Sequence, residues 1–452
     1  MATSIKAFKI ELYQEHLEEA SFLYQQRLSL LHNPAISWRD VGEFEERLEA
    51  HIDALVVGEE LALEICKKQA LDGDFGELFA AVCVFCRQMQ ANLLAEVFRT
   101  LDYQDKEKLR AVVDAVKYEF PAPWNDYCAK ALSGSSPSLL PILATLCGYK
   151  RLPLGEHLHR LMLATSSSKT DVNLIWAIGR LKFESSHQTL QPFLRHEDEA
   201  LCSAALISLL HLGDYRALES CYLLVQTKSW PYIAFGLGGS RSASNILRDA
   251  ISYGRADPDC LLALGLLGDL AALKSIHTCL DQPNLAESAA LALNLITGAD
   301  LYEEAFIPEP IDEDELFEHE LKAYREENKV PTRADGKPFG TTVVRLSEDP
   351  ERWKSWFSEN ASRFQPEKRY RNGKLYSPVC LLENLASEKT PYRLRELAYE
   401  ELVIRYNADF SFEVDMPVHS QLAAINKLSA WVNENNIRFQ AGCWYFACRL
   451  VQ

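Results

Sequence analysis

The triplet Leu212-Gly213-Asp214 returns as Leu267-Gly268-Asp269 and, more loosely, as Thr297-Gly298-Ala299-Asp300, each time where one apolar stretch of 3.6-residue period stops and another starts. Glycine ends a helix in the left-handed conformation without steric cost, and the aspartate that follows can cap the next helix through its carboxylate. A chain punctuated in this way folds as stacked helical hairpins. The expected class is all-α, and such a stack usually offers its open side as a docking platform instead of a reaction centre.

A chain of 452 residues exceeds one hydrophobic core and suits two or three domains or a continuous stack. Its net charge of −17 disfavours a phosphate backbone or an anionic membrane as partner, so proteins, basic ones among them, are the expected partners. Met1 to Lys6 opens without an apolar signal core. The longest uncharged stretch, Ala131 to Tyr149, is broken by Ser133-Gly134-Ser135-Ser136-Pro137, too short an apolar run for about 30 Å of hydrocarbon. The 12 cysteines stand mostly singly in apolar runs, where they act as small hydrophobes. These features predict a soluble, cytoplasmic protein.

Residues 1–135 read as an N-terminal helical region, with helices over 8–31, 41–57, 60–71, 75–88, 91–102 and 105–118. Residues 136–300 carry the repeats. Gly179 to Gly213 is 34 residues, Gly238 to Gly268 is 30 and Gly268 to Gly298 is 30, which fits HEAT-like helix pairs at a period shorter than the usual ~40. Residues 301–349 read as an acidic linker: Glu303 to Glu320 holds nine acids and no Lys or Arg, Asp335-Gly336-Lys337-Pro338 reads as a turn, and Thr341 to Val344 as a short strand. Residues 350–452 read as a separate, mostly helical unit, with helices over 391–406 and 421–433 and a strand-like alternation at Phe410, Phe412 and Val414.

Several patterns invite chemistry and fall short of it. Cys83 and Cys86 have half the spacing of a zinc site, but no second pair completes it, and Cys443 and Cys448 have no mate. His157 and His159 diverge by roughly 200° on a helix and cannot share an ion. Phe235-Gly236-Leu237-Gly238-Gly239-Ser240 lacks the Lys-Ser/Thr ending of a phosphate loop and reads as a tight turn, with Arg241 beside it free to present a charge. No G-x-S-x-G elbow nominates a nucleophile. No metal, cofactor or catalytic residue is therefore expected. Protein-binding residues are expected instead in the acidic run, at Asp312, Glu313, Asp314, Glu315 and Phe317, where acidic and apolar residues alternate. A basic cluster, Arg363, Lys368, Arg369, Arg371 and Lys374 with Phe364, Tyr370 and Tyr376, reads as a dock for the acidic linker or as a protein contact through Arg369 and Arg371.

The segments His16-Leu17-Glu18-Glu19-Ala20, Glu46-Arg47-Leu48-Glu49-Ala50-His51, Gly76-Glu77-Leu78-Phe79, Ile296-Thr297-Gly298-Ala299-Asp300-Leu301, Arg369-Tyr370-Arg371-Asn372-Gly373-Lys374 and Arg393-Leu394-Arg395-Glu396-Leu397, in this order and over nearly the whole chain, resemble a proteobacterial HEAT-repeat family of uncharacterised proteins associated with type VI secretion gene clusters. The repeat region departs from that family in being richer in Cys and Ser. The resemblance implies a cytoplasmic, non-enzymatic effector adaptor or co-chaperone that binds a type VI effector, an effector adaptor or a toxin. Two other roles fit the same residues: an immunity protein that occludes a toxin, and a HEAT-like DNA glycosylase or lyase, which would need a basic groove with a buried carboxylate.

Overall fold

Gly213, Gly268 and Gly298 take φ of +79°, +69° and +56°, each just beyond a helix end. Asp214 and Asp269 then accept bonds from the backbone N–H of Ala217 and Ala271, so both triplets break one helix and cap the next segment. The computed structural model describes residues 5–134, 137–164, 170–309, 311, 313, 316–327, 329–332 and 336–451. Helices make up 67% of it, against a few short strands, and the protein is all-α in class. In the N-terminal region the helices Ile5–Leu31, Val41–Val57, Glu59–Asp72, Phe75–Arg87, Ala91–Thr100 and Lys106–Glu119 follow the sequence periodicity closely.

One row of helices organises the chain. Phe75–Arg87, Lys106–Glu119, Leu140–Lys150, Val172–Arg180, Glu199–His211, Tyr232–Gly238, Pro258–Leu267 and Ala286–Thr297 lie each against the next. Shorter helices between them pack on the row and on one another. Close approach is set by small residues: a Cβ added to Gly148, Gly179, Gly236 or Gly265 would stand 3.0, 2.8, 2.9 or 3.0 Å from the Cα of Ala177, Ser208, Ala263 or Ala292. These contacts recur across 29, 29, 27 and 27 residues (177 − 148, 208 − 179, 263 − 236, 292 − 265), shorter than the spacing read from glycines alone. The difference is physical: Gly179 sits inside a helix against Ser208, whereas Gly213 ends one, so the 34-residue interval joins two unlike roles.

The acidic stretch is more than a linker. Tyr302–Pro308 pairs antiparallel with Gly340–Leu346 over seven positions, from Tyr302 opposite Leu346 to Pro308 opposite Gly340, and helix Glu318–Glu327 lies between the two strands in the chain. The strand expected at Thr341 to Val344 is part of this ribbon, and Gly336 of the expected turn has φ +78°. Asp335, like Asp312, Asp314 and Glu315, lies outside the described residues.

The C-terminal unit is not separate. Tyr376, Leu381, Leu385, Tyr399, Leu402, Tyr406, Phe412 and Leu428 form a core of their own, yet Trp353, Tyr370, Leu397, Ile404, Trp444 and Phe446 belong to the core of the helical row. Helix Tyr392–Tyr406 packs on the row at Glu199–His211 and Tyr232–Gly238, and Val418–Asn435 reaches the N-terminal helix Val41–Val57. Phe410, Phe412 and Val414 form no strand: among the described residues no neighbouring strand offers a ladder, and the backbone is held instead by the Tyr399 hydroxyl donating to the Phe410 carbonyl.

Candidate functional site

An α-helix leaves its last carbonyls without partners, and a row of helices places several such ends along one edge. The C-terminal unit supplies the missing donors here. Arg405 Nη2 donates to Gly236 O at 2.8 Å, and its Nη1 donates to Gly239 O and Tyr445 O at 3.1 Å. Arg369 donates from Nε to Leu267 O at 2.8 Å and from Nη2 to Leu266 O at 3.1 Å. Backbone N–H groups complete the edge: Tyr370 to Gly268 O at 2.8 Å, Asn372 to Leu295 O at 2.7 Å, and Gly373 to Ile296 O at 3.1 Å.

Arg369, Arg371 and Arg405 are at most 1% exposed and share one carboxylate, Glu401. Arg371 pairs with it directly, Arg405 stands 3.5 Å away and Arg369 3.8 Å. Tyr376 donates to the same carboxylate, and the Arg369 guanidinium lies 3.4 Å from the centre of the Tyr376 ring. Three cations against one anion is an unfavourable balance in a buried site, and the negative ends of the helix dipoles offset part of it. Burial and the Arg405 charge pull Arg369 down to about 10. Arg369 and Arg371, expected to contact a partner or the acidic linker, are therefore corrected to internal groups. Their charge reads as a surface feature in sequence, but the guanidinium fork is consumed by helix-end carbonyls and Glu401. Lys374 of the same cluster is exposed and pairs with Glu383 at 2.7 Å, again within the C-terminal unit.

A second polar cluster lies at the ends of Val172–Arg180 and Glu199–His211. Arg180 pairs with Glu400, and with Glu413 at 3.1 Å. His211 Nε2 lies 2.5 Å from Glu400 Oε2, and Arg151 lies 3.8 Å from Asp409 and 3.9 Å from Glu413. Burial acts against ionisation of Glu400, but Arg180 and His211 outweigh it and hold that carboxyl well below its usual range. Burial pushes Glu413 up to about 7 against the pull of Arg180 and Arg151, and burial lowers His211 against the pull of Glu400. A third cluster joins the N-terminal region: Arg27 Nη2 donates to Asp415 O at 2.7 Å, Lys117 pairs with Asp415 at 2.5 Å, and Val418 N donates to Glu45 at 2.6 Å. Sequence reasoning missed Arg180, His211, Glu400, Glu401, Arg405 and Glu413; Glu400, Glu401 and Arg405 had one signal, Arg and Glu set among the apolar positions of Tyr392–Tyr406, and the other three had none.

The remaining sequence candidates divide. Arg241 is on the surface, but its Nη2 donates to Pro366 O at 3.2 Å and lies 3.9 Å from Asp269. Glu313 accepts from Arg325 Nε at 2.9 Å, and Phe317 is 71% exposed at the start of Glu318–Glu327. Cys83 and Cys86 are buried in Phe75–Arg87; burial drives the Cys83 thiol well above its ordinary value and Cys86 up to about 12, against metal-binding thiolates. Among the described residues no group of three or more His, Cys, Asp or Glu side chains is placed to hold a metal ion. His159 Nδ1 lies 2.8 Å from Ser186 Oγ. No helix among the described residues is long and apolar enough to cross a membrane.

The ribbon carries exposed apolar side chains. Phe306, Ile307 and Val344 are 46%, 49% and 69% exposed. Between the N-terminal helices and Val418–Asn435 runs a cleft of about 770 Å³, with Leu48, Ile52, Phe79 and Val418 in its walls and Glu46, Arg87 and Lys427 among its charged groups. Fold and site together define a helical protein whose buried ionisable groups tie its C-terminal unit to the helical row. Compared with known proteins, the chain matches no family model and no curated sequence.

Proposed function

We propose that the chain is a HEAT-like helical-repeat scaffold, without catalytic activity of its own, that binds proteins as a cytoplasmic effector adaptor or co-chaperone in type VI secretion. The observation that carries the binding role is the acidic ribbon. Two paired strands exposed on both faces bring Phe306, Ile307 and Val344 into solvent beside Glu303, Glu304 and Glu309, and Phe317 follows in the same excursion. Exposed apolar groups rimmed by charge mark interaction surfaces, and unpaired strand edges accept further backbone partners. The latched body behind the ribbon supports the same reading, since a rigid platform lowers the ordering cost of association. Partners with basic and apolar segments suit the acidic ribbon. The type VI setting rests on the family resemblance of the N-terminal, linker and C-terminal segments.

Co-purification with the neighbouring effector or effector adaptor tests the reading. The expected result is a stable complex that weakens when Phe306 and Val344 are changed to Ser, and loss of effector export when the gene is deleted. Unaffected export together with killing of the producing cell's siblings would refute the adaptor role.

A further inference from the structure

Helix Pro350–Asn360 and the turn after it wall a second cavity, of about 720 Å³, against the segment that follows Leu267. Trp356, Phe357 and Phe364 are half-buried there and face Leu270 and Leu273. The ionisable side chains on its lining are Lys274, His277 and Lys354; no carboxylate lines it among the described residues. Arg363 lies 5.9 Å over Trp356 and 5.8 Å over Phe364, and Arg248 donates to Ala271 O at 3.1 Å on the rim. Of the nearby acids, Glu351 pairs with Lys354 at 3.1 Å and Asp269 is fully buried beside Arg241, while Glu359 and Glu367 are exposed outside the lining. In a chain of net charge −17 this is an aromatic hollow with a basic rim. Its complement is a bulky apolar side chain flanked by carboxylates.

The chain carries such a segment. Phe317 is 71% exposed, preceded by Leu316 and followed by Glu318 and Glu320. The ribbon that carries it is rooted beside the hollow: Arg352, one turn before Trp356 on the same helix, donates to Tyr302 O at 3.0 Å and lies 3.3 Å from Glu303. Seven paired residues extend roughly 20 Å from that root. A two-stranded ribbon with both faces in water is marginally stable alone and gains from a cover.

We infer that the acidic arm of a second copy seats Phe317 in the Trp356–Phe364 hollow, and that two copies exchange arms reciprocally. Because root and hollow share one helix, a two-fold axis beside it lets each arm cross to the other's hollow, and an isologous exchange of this kind closes as a dimer. The inference deepens the reading of the arm as a docking element by naming what covers it before another partner arrives. Salt does not diagnose it, since added salt screens both the repulsion between two copies of charge −17 and the local attraction of Glu318 and Glu320 for Lys274 and Lys354.

Sedimentation velocity on the full chain over a concentration series tests it. The wild type is expected to dimerise. Phe317→Ser, and Lys274→Glu with Lys354→Glu, are each expected to raise the dimer dissociation constant about tenfold or more, with unchanged circular dichroism because all three positions are exposed. The decisive sample mixes the Lys274→Glu/Lys354→Glu protein with a Glu318→Lys/Glu320→Lys protein: each alone is expected to be monomeric, and the mixture to form a heterodimer. A wild type that stays monomeric, or a dimer indifferent to these changes, overturns the inference. A monomeric wild type that still captures a type VI component would sink this proposal and leave the scaffold reading standing; a dimer as expected that captures none would do the reverse.

Discussion

Changing Arg405 to Met asks how much the latch at the helix ends is worth. The side chain is fully buried and donates to three carbonyls, Gly236 O, Gly239 O and Tyr445 O, while standing 3.5 Å from Glu401. A buried acceptor stripped of its donor costs about 1–3 kcal/mol, so three of them set a gross loss of roughly 3–9 kcal/mol. Two effects reduce it. Methionine is close to arginine in volume and leaves little cavity, and removing one of three buried cations relieves repulsion with Arg369 and the burial of a charge. Glu401 keeps Arg371, so no carboxylate is orphaned. The expected net loss is about 3–5 kcal/mol, the lower part of that gross range once the two offsets are taken. Urea denaturation followed by tryptophan fluorescence reads it, with Trp444 and Trp353 close to the junction, and limited proteolysis is expected to release the C-terminal unit first. Arg405→Lys should fall only partly short of this loss, because an ammonium group keeps the charge but cannot span carbonyls on two sides as the guanidinium fork does. A loss below about 1 kcal/mol for Arg405→Met, or simultaneous cleavage throughout the chain, would refute the view that helix-end capping holds the unit in place.

Three further outcomes follow from the same geometry. Glu413 is raised from its ordinary 4.5 to about 7, so the folded chain holds that proton more tightly and the stability it contributes is full at low pH and lost as pH rises from about 4.5 to about 7; Glu413→Gln removes the dependence, and the stability difference between variant and wild type in urea melts should shift in the variant's favour by up to about 3 kcal/mol between about pH 5 and about pH 8, the opposing contribution of His211 cancelling because both proteins contain it. Gly148→Ala places a Cβ 2.4 Å from the Trp176 ring and 3.0 Å from the Ala177 Cα, and should cost about 1–3 kcal/mol, seen as a lowered melting temperature; an unchanged one would show that the two helices are not in contact there. Dialysis against a chelator should leave the thermal melt unchanged, since Cys83 and Cys86 are packed as thiols, and a fall in melting temperature would reverse that assignment.

What was legible in the sequence is local. Helix ends at Gly213, Gly268 and Gly298, the caps at Asp214 and Asp269, and the amphipathic helices of the N-terminal region follow from backbone freedom, capping chemistry and a 3.6-residue period, all of which act within a few residues. The pairing of Tyr302 with Leu346 was not legible, because register between strands separated by a helical excursion is decided by contacts across more than 40 residues. Arg369 and Arg371 were misread for a related reason. Sequence placed them in a basic cluster with Arg363 and Lys374, but their partners are carbonyls of Leu266 and Leu267 and the carboxylate of Glu401. Nothing within ten residues of an arginine announces that a helix end a hundred residues earlier needs a donor. At Phe410, Phe412 and Val414 the alternation was real, since Phe412 and Val414 are buried, but a period of two makes a strand only where another strand supplies the ladder.

The polar character of the latch bears on the scaffold role proposed above. An apolar junction tolerates sliding, because area burial has no direction, whereas a guanidinium fork seats only where two carbonyls stand at the right separation. Arg405 reads the end of Tyr232–Gly238, Arg369 the end of Pro258–Leu267, and the N–H groups of Asn372 and Gly373 the end of Ala286–Thr297, so three successive helices are held in fixed register by one unit. The Glu400 cluster fixes two earlier helices, and Asp415 with Val418 ties the same unit to Arg27, Glu45 and Lys117 at the far end of the chain. A stack of repeats in contact only with their neighbours bends easily, since small errors add along its length. A unit bonded to helices at both ends of the row restricts that freedom. The edge at which these helices end is filled by the chain's own C-terminal unit, which is why the proposed docking role is given to the acidic arm and the hollow at its root instead of to that edge.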